Sequence, residues 1–573
     1  MKETSVPTPS VSPRTPGSIT KRSPSHEGAT SLESDLRGVA PCLFIEHLQH
    51  DVVSPPDPIE LELMRNLFEA AAEEMGIVLQ RVAFSANIKE RRDFSCALFD
   101  ASGALLAQAA HIPVHLGSMP ASVQAVLDRL GRLDEGDVAI VNDPFAGGTH
   151  LPDVTLVAPI YFDATLIGYA ANRAHHADVG GVSPGSMTLS RHIDEEGVRI
   201  EPSLLCRRGV RDEALLKRFL DAVRTPDERL GDLDAQVTAN HVGAAALKRM
   251  VARYGIEHVR GYGLALLDYA QSFMSRAIAD IPDGAYAFRD LMDDDGAGSG
   301  PVAIEVTLRI FGDRAIVDLT RSADEVPGCI NCPDAVTRSA VYYCFGCLLD
   351  EAVPLNGGCF RNIDVLTRPG SVLHALYPAA VVAGNTETSQ RVVDVVFGAL
   401  AQALPDRIPA ASCGTMSSVA LGGADWTYYE TIGGGCGAGP TWQGESAVQC
   451  HMTNTLNTPA EAIELQYPLR IRRFERAPHT GGDGAQRGGD GIIRAIEALA
   501  PCAGTILSDR RASRPYGLAE GSGAARGTNS ITRIDGERTA LSGKCQFSLA
   551  AGDVLRIVTP GGGGWGRAAR DSR

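Results

Sequence analysis

Residues 142–181 read NDPFAGGTHLPDVTLVAPIYFDATLIGYAANRAHHADVGG. Two apolar runs, Val154–Phe162 and Leu166–Ala171, flank a turn signal at Asp163-Ala164. Runs of this length around a short polar break predict an antiparallel hairpin. Centred on that turn, the pairing sets Asp153 opposite Ala174 and His175, and His150 opposite Ala177 and Asp178. Two His/Asp clusters separated in sequence thus meet at the open end of one hairpin. Imidazole and carboxylate donors converging beside glycine turns are the donor set of a divalent transition-metal site with open positions. A hydrogen-bonded polar loop is the alternative reading of the same residues.

Upstream, the strand-like runs Phe94–Phe99 and Ala104–Ala109 flank Asp100-Ala101-Ser102-Gly103 and predict a second hairpin. Its expected register places Asp93 opposite Ala110, next to His111, with His115 four residues on. Asp93, His111 and His115 are therefore candidates for an additional ligand, a second metal or a substrate contact. Capping and loop hydrogen bonds are the competing explanation.

Working outward, Asp57-Pro58 forms an N-cap and first-turn pair. It precedes a helical stripe of Leu61, Met64, Leu67, Phe68 and Ala71, with Gly76 as the expected stop. Ser118 is expected to cap a helix through Leu130, and a strand to end at Val141. Residues 203 to 280 read as helical, with a stop at Gly255; VAIEVTLRIF and RAIVDLT return the chain to sheet. Helices are expected over Ala335–Leu349 and Ser389–Leu404, followed by a glycine-rich, strand-dominated final third.

The predicted fold class is mixed α/β (α+β): a large multi-layer protein with antiparallel hairpins, a central helical segment and a strand- and glycine-rich C-terminal third. The expected regions are a disordered tail (1–54), a metal-site α/β region (55–202), a mainly helical region (203–300), an α/β region (301–410) and a glycine-rich β region (411–573). The tail is rich in Ser, Thr and Pro, too apolar-poor to offset its ordering entropy.

A net charge of −16 with no basic run argues against a nucleic-acid partner or an acidic membrane surface. No apolar run reaches membrane-helix length. Thirteen scattered cysteines without a secretory signal read as reduced thiols of a cytoplasmic protein. Cys329-x-x-Cys332 and Cys344-x-x-Cys347 have zinc-like spacing, but the second pair lies among apolar residues at helical intervals, which favours buried core thiols. No lysine has the context of a Walker A loop, since Gly543-Lys544 is followed by Cys545. GGGCGAGP and PGGGGWG read as tight turns rather than phosphate cradles. Asn385, Thr386, Thr388 and Ser389, at the expected start of a helix, suit either an anion or ordinary capping.

DFSCALFD, HIPVHLGSM, NDPFAGGTHLPDV, NRAHHADVGG, GDLDAQVTAN, GNTETSQRVVDVV, TIGGGCGAGP, HMTNTLNTPAE, GGDGIIR and TPGGGGWG occur in this order. Together, from about residue 56 to 567, they resemble the hydantoinase B/oxoprolinase family. The resemblance implies the metal-bearing B subunit of an ATP-dependent amidohydrolase that opens a cyclic amide such as a hydantoin, 5-oxoproline or another lactam. It implies a hetero-oligomer whose hydantoinase A-type partner carries ATP and Mg. It also implies that His150, Asp153 and His175 are metal ligands, for Zn, Mn or Fe, with His176 or Asp178 as an orienting group or general base. Within the same resemblance, the alternative is a subunit of an ATP-dependent acetone- or acetophenone-type carboxylase. A non-catalytic scaffold, with the His/Asp cluster only stabilising the fold, is the alternative of another class.

Overall fold

The computed structural model describes residues 56–568 apart from 110–111 and 351–352. The expected N-terminal tail and His111 lie outside the described residues.

The chain folds around the predicted hairpin. Seven strands, β1 (Phe94–Phe99), β2 (Leu105–Gln108), β3 (Val138–Val141), β4 (Asp153–Phe162), β5 (Thr165–His175), β6 (Ser203–Arg207) and β7 (Val210–Arg211), form one sheet in the order β2-β1-β5-β4-β3-β6-β7. All its neighbouring pairs are antiparallel. The turn falls at Asp163-Ala164, both with positive φ, as a two-residue hairpin loop matched to strand twist requires. A bulge between Ile160 and Tyr161 brings Asp153 directly opposite His175.

Nearly every residue of β4 and β5 is buried, because helices cover both faces of the sheet. One face packs on Pro58–Val82 and Pro226–Tyr254, with Phe68, Met75, Ala170, Ala174 and Leu247 in the shared core. The other packs on His115–Leu130 through Val123, Val126, Val157 and Ala171. The Pro226–Tyr254 helix also buries a polar stripe, Arg229, Asp232, Gln236 and Asn240. Its amides are satisfied by the sheet: Gln236 Nε2 donates to Val154 O at 2.9 Å, and Asn240 Nδ2 to Leu156 O at 3.2 Å.

Several local expectations shift. The first helix runs past Gly76 to Val82, since one interior glycine costs only about 1 kcal/mol and Met75 and Leu79 are fully buried. The His115–Leu130 helix starts three residues before Ser118, whose hydroxyl instead donates to Val114 O. In the first hairpin Ala97 faces Gln108 rather than Leu106. Asp100 accepts the amides of Ser102 and Ala104 in a longer loop, and a bulge between Leu98 and Phe99 adds the rest of the shift. Residues 203–211 complete the sheet before helices Glu213–Leu220, Pro226–Tyr254 and Ile256–Ala279 begin.

A second sheet of Gly284–Met292, Val302–Phe311, Arg314–Asp318 and Ile363–Leu366 packs with helices Asp334–Gly346 and Ser389–Ala403. Cys329, Cys332 and Cys344 are fully buried in that core, while Cys347 is exposed. The last third holds a four-stranded and a five-stranded sheet. Its glycine runs are more than tight turns, because they pack backbone on backbone. A Cβ on Gly488 would lie 1.9 Å from Gly562 O, and one on Gly562 1.9 Å from Cys436 O. Among the described residues no helix is long and apolar enough to cross a membrane.

Candidate metal centre

The loop before β4 is built to present two side chains. Asn142 clamps it, donating to Leu151 O and Val198 O and accepting from Ile200 N. Gly147 takes a left-handed φ of +78°, and a Cβ there would meet Ala121 C at 2.4 Å, so the turn must be glycine. His150 and Asp153 follow, and β5 delivers His175 opposite Asp153.

His150 Nε2 lies 3.2 Å from Asp153 Oδ1, His175 Nδ1 lies 3.0 Å from the same oxygen, and the two nitrogens are 3.2 Å apart. All three side chains are buried. Ligands about 2.1 Å from a shared ion lie about 3.0 Å apart at a right angle and about 3.4 Å apart at a tetrahedral angle, so these edges fit a common cation. Protons alone fit less well. Two imidazole nitrogens face each other across one carboxylate oxygen, and a cation would satisfy all three lone pairs at once. The outer nitrogens, His150 Nδ1 and His175 Nε2, have no hydrogen-bond partner among the described residues. Packing holds the His175 ring: it stacks on Tyr429 at 4.7 Å, and the Arg91 guanidinium lies over Tyr429 in turn.

The second carboxylate oxygen of Asp153 accepts from Thr149 Oγ1 and lies 3.3 Å from His115 Nε2. Ser95 Oγ holds the other His115 nitrogen at 2.8 Å. Burial pushes the Asp153 carboxyl up, but the charge of His150 and the hydrogen bonds of His115, His150 and His175 outweigh it and hold the group well below the usual range. Burial lowers His115 and His175 despite Asp153. For His150 the pull of Asp153 exceeds the effect of burial and raises it.

These groups open into a cavity of about 20 Å³ that Asp93, Asn385, Thr386, Met416, Tyr429 and Met452 also line. Of the sequence candidates, His115 and Asp93 therefore join His150, Asp153 and His175. Asp93 does so as a wall residue whose carbonyl accepts the His175 amide.

His176 and Asp178 do not join them. Strand alternation sends His175 towards one helical layer and His176 towards the other, where its Nε2 meets Gln236 Oε1 at 2.9 Å. Asp178 is engaged by Arg224 at 2.7 Å and by Ser186. Neither side chain lines the cavity, and both are engaged in contacts away from the triangle. A period-two reading of Arg173 to Asp178 would have separated the two histidines.

Sequence reasoning also treated Asn385 and Thr386 as helix-start residues. The helical turn begins earlier, where Glu196 accepts the amides of Val381 and Val382, and Gly384–Thr388 is a π-helical turn inside it. Tyr429 and Arg91 had no local signal.

A buried His–Asp–His triangle on an antiparallel hairpin, set in a multi-layer α/β body, defines a candidate metalloprotein centre. The chain belongs to the hydantoinase B/oxoprolinase family, whose model matches residues 57–568. It is 40% identical over 534 residues to 5-oxoprolinase 1 of Arabidopsis thaliana, covering 89% of this chain and 42% of that protein. The chain thus spans less than half of that relative. Its fold matches the crystal structure of an ATP-dependent caprolactamase from Pseudomonas jessenii, with a TM-score of 0.84 at 29% identity over 89% of this chain and 91% of that one. An acetone carboxylase in its nucleotide-free structure matches with a TM-score of 0.83 over 89% of this chain and 76% of that one. At 17% identity that likeness shows the fold alone.

Proposed function

We propose that this chain is the metal-bearing B-type component of an ATP-dependent enzyme that opens a cyclic amide. The observation that carries the reading is the buried triangle of His150, Asp153 and His175 at the wall of a small cavity. The names of two relatives, a 5-oxoprolinase and a caprolactamase, point to lactam substrates.

His150, Asp153 and His175 would hold a divalent transition metal, which would supply Lewis acidity towards a carbon–oxygen group. Asp153 contributes the negative charge, and its second oxygen is oriented by Thr149 and His115. Ser95 in turn sets the His115 ring. Such outer contacts fix ligand geometry and basicity. Tyr429 keeps the His175 ring plane and closes that side of the site to water. Nucleotide and Mg²⁺ belong to a hydantoinase A-type partner in a hetero-oligomer. The lack of a Walker A sequence supports this, as do glycine loops whose amides are spent on one another, Gly562 N donating to Gly489 O and Gly489 N to Cys436 O.

The test is lactam-dependent ATP turnover by this chain co-purified with an A-type subunit, with 5-oxoproline and caprolactam as probes. Ring opening that disappears in Asp153→Ala supports the reading; undiminished turnover in that variant overturns it. Turnover that requires bicarbonate and a ketone would transfer the site to carboxylation.

A further inference from the structure

Asn385 and Thr386, which line the same cavity as the triangle, leave buried polar atoms unused. Asn385 Oδ1 and Thr386 Oγ1 have no hydrogen-bond partner among the described residues, although the two residues are 5% and 1% exposed. A buried polar group left unmatched costs about 1–3 kcal/mol, so a fold retains it where something else is served.

The turn cannot rotate to hide them. Ala383 N donates to Cys329 O at 2.9 Å, and Thr388 Oγ1 to Ile330 O at 2.6 Å. A Cβ on Gly384 would lie 1.9 Å from Asn331 O, so the backbone is pressed against its neighbour. Asn385 and Thr386 line the cavity from within the π-helical turn Gly384–Thr388, and such bulges concentrate at functional positions.

We infer that Asn385 and Thr386 form a polar clamp for the edge of a cis amide. This rests on the lactam reading above and adds how the substrate is recognised. A small ring forces its amide to be cis, so N–H and C=O point to the same side. A linear secondary amide is trans, by about 2.5 kcal/mol or more, and points them apart. A carboxamide side chain offers a donor and an acceptor on one edge, which pairs with the cis edge through two parallel hydrogen bonds. The Thr386 hydroxyl donates or accepts beside it. The cavity, at about 20 Å³, takes one small group. The amide edge therefore enters first, and the unbranched side chains of Met416 and Met452 yield to the ring.

The experiment uses the full chain and two probes, 2-pyrrolidinone (cis) and N-methylacetamide (trans). Binding is read by saturation-transfer NMR, cobalt loading by absorbance and folding by thermal unfolding. Wild type should prefer 2-pyrrolidinone by about tenfold or more. Asn385→Leu and Thr386→Val should each weaken it about tenfold while cobalt loading is unchanged, and Thr386→Ser should restore most of it. Equal affinity for the two probes, no binding of 2-pyrrolidinone to wild type, or unaltered affinity in folded variants overturns the clamp and leaves the metal site standing. Lactam binding that depends on Asn385 in a protein that takes up no cobalt upholds the clamp and overturns the metal site instead.

Discussion

Asp153 joins every part of the centre. One carboxylate oxygen meets His150 and His175, and the other meets Thr149 and His115. Replacing His150, Asp153 or His175 with Ala should remove most of the metal with the fold intact, measured by elemental analysis and circular dichroism. Asp153→Ala and His175→Ala should be non-additive, because losing one ligand already ruins the site. His115→Ala should leave metal at saturation but weaken its affinity by about 10–100-fold, as loss of an orienting contact does. Asp178→Asn probes the expected role of Asp178. It breaks the bridge from Arg224 to a fully buried carboxylate and should cost about 1–3 kcal/mol of stability with metal content unchanged. Loss of metal in that variant would return Asp178 to the centre.

At the level of elements, strand alternation and helix polarity decide which groups share a space. Along β5, Arg173 and His175 face the His115–Leu130 layer, whereas Asn172 and the following His176 face Gln236. The π-helical turn carries one more consequence at Glu387. Burial pushes this carboxyl up to about 8 from an ordinary value of 4.5. Between those values the native state holds a proton that the unfolded chain has released, so stability falls as pH rises through the window. Above the upper value both states are ionised and the whole cost is present. Glu387→Gln removes that titration. Its melting temperature relative to wild type should be higher near pH 9 than near pH 4.5, by about 2 °C. An offset that does not vary with pH would mean Glu387 is ionised in the folded protein.

Across the whole molecule, the centre lies where distant parts of the chain meet. The hairpin supplies the ligands, the second region supplies Asn385 and Thr386, and the last third supplies Tyr429 and Met452. The purified chain alone should therefore bind metal yet neither hydrolyse ATP nor open a lactam, as a coupled ATPase assay would check. Robust turnover by this chain alone, abolished by a mutation within it, would place the nucleotide site here and sink the two-component reading.

The sequence by itself determined the hairpin and the meeting of the two His/Asp clusters at its open end. The reason is local: two apolar runs and a two-residue turn leave one favourable pairing. The choice of His150, Asp153 and His175 among them came from the family resemblance, and a bulge between Ile160 and Tyr161 sets Asp153 opposite His175. Apolar neighbours at helical spacing also made the burial of Cys344 legible, but the same spacing placed Cys347 in the core, and Cys347 is exposed. What needed the tertiary structure was everything set by surfaces meeting at long range. Tyr429 and Arg91 reach the site across more than 300 residues of separation, as in the bond from Arg91 to Tyr429 O. Asn385 and Thr386 look like ordinary helix-start residues until the packing of Gly384 on Asn331 widens the turn. Local patterns encode which side chains share a face, but which faces come together is decided by the packing of whole layers.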